Sequence, residues 1–139
     1  MDVTTELTAV LTTLMDEHNV MWDLGDIPAD SRIRDIHPDL RAAQYSPKFD
    51  GGVWRADSAV EWLEGTCEAA GFLGKLGCRW EMADLTILVR SADEAVASYR
   101  IIHYWGEADR PPARAMFLET WRRSEDGRWL LVRHTAEMV

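Results

Sequence analysis

The stretch ARAMFLETWRRSEDGRWLLVRHTA, residues 113–136, contains the pattern that decides the fold. Two runs rich in apolar, aromatic and β-branched residues flank the turn dipeptide Asp126-Gly127, which is typical of an antiparallel hairpin. Towards the N-terminus, two more runs of similar composition cover residues 79–90 and 95–105, with turn residues between them. The C-terminal part of the chain is therefore predicted to form four long antiparallel strands.

The N-terminal part of the chain follows a different period. Apolar residues from Leu7 to Trp22 recur every three or four positions, which predicts a helix, and His18 falls on its apolar face. Gly25 is placed to end this helix, and residues 28–36 predict a short second one.

The middle of the chain links these two parts. Residues 45–49 and 53–54 predict two short extended pieces joined by a turn. Ser58, with Glu61 three residues later, predicts the start of another helix, which runs until glycines interrupt it. Helices followed by a run of strands predict an α+β fold, with N-terminal helices packed on a strongly curved, mainly antiparallel sheet.

Composition limits the partners that this chain can have. It has 139 residues and a formal charge of -9 at neutral pH, and we expect one domain over residues 1–139. Such a charge disfavours nucleic acid and anionic membranes as partners. Two cysteines are too few for a disulfide framework, and no apolar run is long enough for a signal peptide or a membrane span. A cytoplasmic protein is expected.

Two parts of the sequence resemble the nuclear transport factor 2-like superfamily. Residues 22–26 (Trp-Asp-Leu-Gly-Asp) and 36–39 (Ile-His-Pro-Asp) look like the helix pair of that superfamily. Residues 119–129, from Glu119 to Trp129, look like its C-terminal hairpin, which ends in a strand that carries a histidine. The resemblance implies a cone-shaped α+β fold and a SnoaL-like domain, similar to polyketide cyclases, ketosteroid isomerases and scytalone dehydratase.

The resemblance also implies which residues line a pocket. It places Thr120 and His134 in the cavity, and Thr120 stands where the isomerases and cyclases carry a pocket aspartate. No carboxylate lies between Leu40 and Phe49, where the isomerases place their general base. Strand alternation and the helix face extend the predicted pocket to His18, Trp22, Tyr45, Trp54, Arg100, Ile102, Tyr104 and Met116.

The opposite sheet face would then carry Phe117, Glu119, Trp121, Trp129 and Leu131. Because that face is too apolar for water, we expect a homodimer that joins two sheets through Phe117, Trp121 and Trp129.

Two functions are compatible with these residues. One is cofactor-free acid-base catalysis, with His18, His134, Tyr45 and Arg100 as the catalytic candidates. It would cyclise, isomerise or dehydrate a hydrophobic, oxygenated small molecule, a chemistry common in secondary metabolism. The other is a non-catalytic ligand-binding or dimerisation module. We expect no cofactor and no metal, because neither His37 nor His103 has a ligand spacing with a cysteine.

Overall fold

The computed structural model describes residues 2–138. Their regular elements are two α-helices and six strands: α1 (Val3–Leu24), β1 (Ile36–Tyr45), β2 (Val53–Ala56), α2 (Ala59–Lys75), β3 (Arg79–Ser91), β4 (Glu94–Tyr104), β5 (Ala113–Arg123) and β6 (Trp129–Met138). The strands form one open, mixed sheet in the order β2-β1-β6-β5-β4-β3, in which only β1 and β6 are parallel among the described neighbours. The predicted α+β architecture is confirmed.

Helix α1 begins and ends where its sequence directs. The Asp2 side chain accepts a hydrogen bond from the Thr5 amide at 2.8 Å and caps the N-terminus. Gly25 has φ 72° and ends the helix in the left-handed conformation, as the sequence predicts. Leu7, Leu11 and Met21 are completely buried, so the apolar face of α1 packs onto the sheet.

The region between the helices differs from the prediction. Only a single turn of 3-10 helix, Arg32–Arg34, stands where a short helix was expected, and β1 begins at Ile36 rather than near Tyr45. Pro38 explains the early strand, because a residue before proline is driven from helical to extended geometry. Helix α2 begins as predicted, with the Ser58 hydroxyl accepting from the Glu61 amide.

Strands β4 and β5 direct towards the interior the set of side chains that was predicted to face outwards. Their buried residues include Tyr99, Ile101, Phe117, Glu119 and Trp121. Pocket positions were predicted for the alternate residues, so that prediction is wrong for Arg100, Ile102, Tyr104, Met116 and Thr120, which lie on the outer face. A one-residue error in strand phase moves every side chain to the other face.

Strand β6 contains a bulge that changes its phase. Thr120 pairs with Arg133 but the next residue, Trp121, pairs with Leu131, so Val132 is an extra residue in β6. As a result Trp129 and Leu131, which precede the bulge, face the same side as His134 and Ala136, which follow it. His134 therefore faces the interior, as predicted.

The residues predicted for the dimer interface lie inside the protein. Phe117, Trp121 and Trp129 are each at most 5% exposed and belong to the core between sheet and helices. The outer face instead carries the half-exposed side chains of Met116 and Leu118. No structural finding tests dimerisation itself, which stays a prediction.

Among residues 2–138, neither α1 nor α2 combines the length and the apolar composition that a bilayer-spanning helix requires.

The crossing of α1 and α2 is tight at Gly74. A Cβ atom at Gly74 would lie 2.5 Å from the backbone oxygen of Trp22, whereas one at Gly71 would meet nothing within 4 Å. We predict that Gly74→Ala lowers the free energy of unfolding by about 1–3 kcal/mol, because the two helix backbones must separate. Gly71→Ala, its control in the same helix, should raise it by about 0.5–1 kcal/mol. Urea unfolding measures both, and equal effects would contradict the close crossing.

Candidate active site

A buried carboxylate, that of Glu119, is the centre of the polar interior. Glu119 is 4% exposed, and its Oε1 accepts hydrogen bonds from the Tyr99 hydroxyl at 2.5 Å and from Trp121 Nε1 at 3.3 Å. Its Oε2 accepts from His134 Nδ1 at 2.7 Å. An ionised carboxylate has enough acceptor positions for all three groups. We call Tyr99, Glu119, Trp121 and His134 the Glu119 network.

Strand register brings these side chains together. Glu119 pairs directly with His134 across β5 and β6, so both point from the same face. Tyr99 pairs with Phe117, two residues before Glu119, and reaches the carboxylate diagonally from β4. Burial, with Glu119 beside the ring, raises the pKa of Tyr99 well above its ordinary value. Tyr99 therefore stays a hydrogen-bond donor at neutral pH.

His134 is held at both ring nitrogens. Nδ1 donates to Glu119, and Nε2 lies 3.1 Å from Nε2 of Gln44, a residue of β1. The Gln44 amide therefore donates to the unprotonated Nε2 of a neutral ring. Trp62 of α2 and Phe117 of β5 pack against this ring, with centroids 4.7 Å and 4.8 Å away. Both aromatic rings limit its movement.

His18 supplies a second imidazole from α1. Its Nδ1 donates to the Leu14 carbonyl at 2.7 Å, so Nε2 carries the lone pair, and Nε2 has no hydrogen-bond partner among residues 2–138. Burial lowers the pKa of His18, although the Leu14 carbonyl and the charge of Glu119 act in the opposite direction. His18 is therefore neutral at pH 7 and can accept a proton.

Trp80 connects the helix to the sheet at this point. Its ring stacks on His18 at 4.7 Å with an interplanar angle of 18°. The side chain of the next residue in α1, Asn19, bonds both the amide and the carbonyl of Trp80, at 2.7 Å and 3.0 Å. These two hydrogen bonds fix α1 against β3 and so fix the height of His18 above the sheet.

Aromatic rings form a continuous path between the two histidines. Trp80 contacts His18 on one side and Phe117 on the other, at 5.8 Å, and Phe117 contacts His134. Protonation of His134 would lower the pKa of His18, so the two imidazoles share one electrostatic environment. We call this set the aromatic cluster; its members are His18, Trp22, Trp62, Trp80, Phe117 and His134.

The structure brings together only some of the predicted site residues. His18, Trp22 and His134 lie in the aromatic cluster, and Trp54 reaches its edge through Trp62 at 6.1 Å. Tyr45 is 42% exposed at the end of β1.

The predicted residues of the sheet are occupied elsewhere. Arg100 is exposed on the outer face and forms an ion pair with Asp84, with Nε 2.6 Å from Oδ2. Tyr104 donates to Glu81 at 2.9 Å on the same face. Met116, Thr120 and Ile102 lie on this outer face too. Arg100 is therefore paired with an acid at the surface and does not face the interior.

Sequence reasoning missed Tyr99, Gln44, Trp80 and, above all, Glu119 as interior residues. The available signal was the spacing of Phe117, Glu119 and Trp121, in which two large aromatic residues alternate with an acid. An acid at this spacing lies on the same buried strand face as the two aromatic residues, and its carboxylate needs hydrogen-bond donors around it. Gln44 was missed because the polar residue expected in this part of the chain was a carboxylate.

Between Asp2 and Met138, no group of three or more His, Cys, Asp and Glu side chains is arranged to hold a metal ion.

Comparison with solved structures identifies the architecture. A nuclear transport factor 2-like protein from Pseudomonas putida superimposes with a TM-score of 0.71 at 16% identity, covering 96% of this chain and 87% of that one. The chain has the nuclear transport factor 2-like fold. No family model and no curated protein matches its sequence.

Two further proteins with similar structures carry the names of enzymes. A proposed scytalone dehydratase from Novosphingobium aromaticivorans has a TM-score of 0.67 at 18% identity and covers 98% of this chain and 85% of its own. A proposed ketosteroid isomerase from Parabacteroides distasonis has a TM-score of 0.62 at 12% identity, with coverages of 91% and 85%. At these identities the similarity shows the nuclear transport factor 2-like fold alone.

The buried Tyr99 hydroxyl should contribute strongly to stability. We predict that Tyr99→Phe lowers the free energy of unfolding by about 1.5–3 kcal/mol, because the hydroxyl donates to a buried carboxylate. Tyr104→Phe removes a similar bond to Glu81 at the surface and should cost at most about 0.5 kcal/mol. Urea denaturation of both variants makes the comparison. A larger loss in Tyr104→Phe would show that Glu119 does not depend on this donor.

Proposed function

We propose that this protein is a small enzyme that uses cofactor-free acid-base catalysis to cyclise, isomerise or dehydrate a hydrophobic, oxygenated small molecule. One observation carries the proposal: two neutral imidazoles lie in one aromatic interior, and each has its Nδ1 bound by an acceptor of its own. In both rings the lone pair of Nε2 is consequently the basic position.

His18 is the proposed general base. Its Nε2 is neutral and unbound, so it takes a proton from a carbon next to a carbonyl group and becomes an imidazolium. The electron pair of the broken C–H bond moves to the carbonyl oxygen and forms an enolate. The same imidazolium then returns the proton to another carbon, or gives it to a leaving hydroxyl.

Gln44, which His134 orients, is proposed to face the oxygen of the substrate. Gln44 uses one amide hydrogen on His134, which leaves the other for a developing oxyanion. Glu119 is a positioning residue: it holds the proton on Nδ1 of His134, and Tyr99 and Trp121 hold Glu119. Glu119 thus orients His134 as a buried acid orients the histidine in a Ser-His-Asp triad.

The aromatic side chains next to the two histidines suggest the class of substrate. Trp22, Trp80 and Phe117 pack on one another next to the histidines, and aromatic neighbours of this kind favour an apolar and preferably planar molecule. The proposed dehydratase and isomerase with the same fold support these two reaction types by their names, at identities of 18% and 12%.

A non-catalytic binding module is the second candidate. It is favoured by the satisfied state of the polar interior, since Nε2 of His134 already bonds Gln44 and the predicted helpers Tyr45 and Arg100 lie outside. In that function the Glu119 network would only stabilise the core.

Proton exchange separates the two candidates without knowledge of the natural substrate. We predict that the wild-type protein in D2O accelerates deuterium uptake at the α-carbon of 2-tetralone, an apolar carbon acid, above the buffer rate. His18→Gln and His134→Gln should each lower the protein-dependent rate about 10²- to 10⁴-fold, because the first removes the base and the second removes the group that orients Gln44 towards the oxyanion. Proton NMR measures the uptake.

His37→Gln is the control, because His37 lies in β1 outside the aromatic cluster and bonds the Asp39 amide. It should leave the rate unchanged, and unfolding curves should show that every variant is folded. Binding of 2-tetralone without acceleration, or equal rates in wild type and both interior variants, would contradict catalysis and support the binding module.

Two further expectations belong with this proposal. A homodimer would use the outer sheet face around Met116 and Leu118, whose exposure supports it, and Leu118→Glu should then sediment as a monomer. A cytoplasmic location is supported by Cys67 and Cys78, which are both free thiols.

A further inference from the structure

A groove of about 360 Å³ opens between the first half of α1 and the hairpin that joins β5 to β6. This volume is within the range of small-molecule pockets, roughly 300–1,000 Å³. Both α1 and the hairpin contribute apolar residues to its wall, and charged side chains line it as well. The apolar lining residues are Ala9, Val10, Leu14, Trp121 and Trp129.

The groove shares two residues with the histidine site. Trp121 lines the groove, and its Nε1 donates to Glu119. Leu14 lines the groove as well, and its carbonyl accepts from His18. A molecule in the groove would therefore lie next to the groups that hold both catalytic candidates.

Most charged side chains around the groove have an oppositely charged partner within the protein. Glu6 pairs with Arg123 at 3.1 Å and also accepts from Trp129 Nε1 at 3.0 Å. Arg128 pairs with Asp35 at 3.2 Å and with Asp126 at 2.9 Å. Arg32 differs: within residues 2–138 its guanidinium has no acidic partner, while its backbone amide is fixed by Glu17. Among the charged side chains that line the groove, Arg32 is therefore the one without an oppositely charged partner in residues 2–138.

We infer that this groove binds an amphipathic monocarboxylate, with the apolar chain along Trp121 and Trp129 and the carboxylate on Arg32. The inference rests on the proposed function, because it makes the groove the outer part of the same substrate site. A single planar guanidinium matches a single carboxylate in charge and in geometry.

The net charge of -9 does not prevent this binding. Exposed charges are screened beyond about 8 Å at physiological ionic strength. The nearest group, Arg32, therefore determines which head group is preferred, and the apolar wall provides most of the affinity.

Calorimetric titration with decanoate and with decanol tests the inference. The two probes have the same chain and differ in charge. We predict that wild type binds both and prefers decanoate. Arg32→Gln should weaken decanoate about threefold to fivefold and leave decanol unchanged, as expected for one exposed ion pair. Ala9→Phe, at an exposed lining position of α1, should fill the groove and weaken both probes at least tenfold.

Arg55→Gln is the matched control, because Arg55 is exposed on β2 and does not line the groove. It should bind both probes like wild type. Equal loss of decanoate in Arg32→Gln and Arg55→Gln would overturn the role of Arg32. Absence of decanoate binding, or binding that Ala9→Phe leaves unchanged, would overturn the site.

This titration is independent of proton transfer. His18→Gln should still bind decanoate, so intact binding together with unchanged 2-tetralone exchange in that variant would remove the proposed catalysis and keep the groove. Ala9→Phe should lose decanoate binding but keep normal exchange on 2-tetralone, because the small ketone reacts at the histidines without occupying the groove.

Discussion

The hydrogen bonds to the buried carboxylate of Glu119 are the constraint on which the rest of the structure depends. Removing such a charge from water costs several kcal/mol, and partners must offset that cost. Three donors do so here, from Tyr99 in β4, Trp121 in β5 and His134 in β6. Because each donor lies on a different part of the sheet, this network fixes how three neighbouring strands present their inner faces.

That constraint extends to the helices through aromatic rings. His134 packs against Trp62 of α2, and Phe117 leads through Trp80 to His18 of α1. The bulge at Val132 is necessary for this arrangement, because without the extra residue Trp129 and His134 would face opposite sides of the sheet. Core packing, the polar interior and the proposed chemistry therefore use the same side chains.

The sequence was sufficient for the architecture and for part of the site. Caps and turns such as Gly25 and Ser58 act locally, so their effects could be predicted. The inner face of β5 could not, because Met116 and Leu118 on one side are as apolar as Phe117 and Trp121 on the other, and alternation alone then gives no direction. Pairing shifts such as that at Val132 depend on contacts between strands, which a single sequence does not display.

The central claim is that Glu119 holds the proton of His134 on Nδ1 and leaves Nε2 as the acceptor. Nitrogen-15 NMR of the His134 ring at neutral pH measures this directly, since it distinguishes a protonated from an unprotonated ring nitrogen. The account predicts a neutral ring protonated at Nδ1 in the wild-type protein, and loss of that preference in Glu119→Leu. A wild-type ring protonated at Nε2 alone would contradict it.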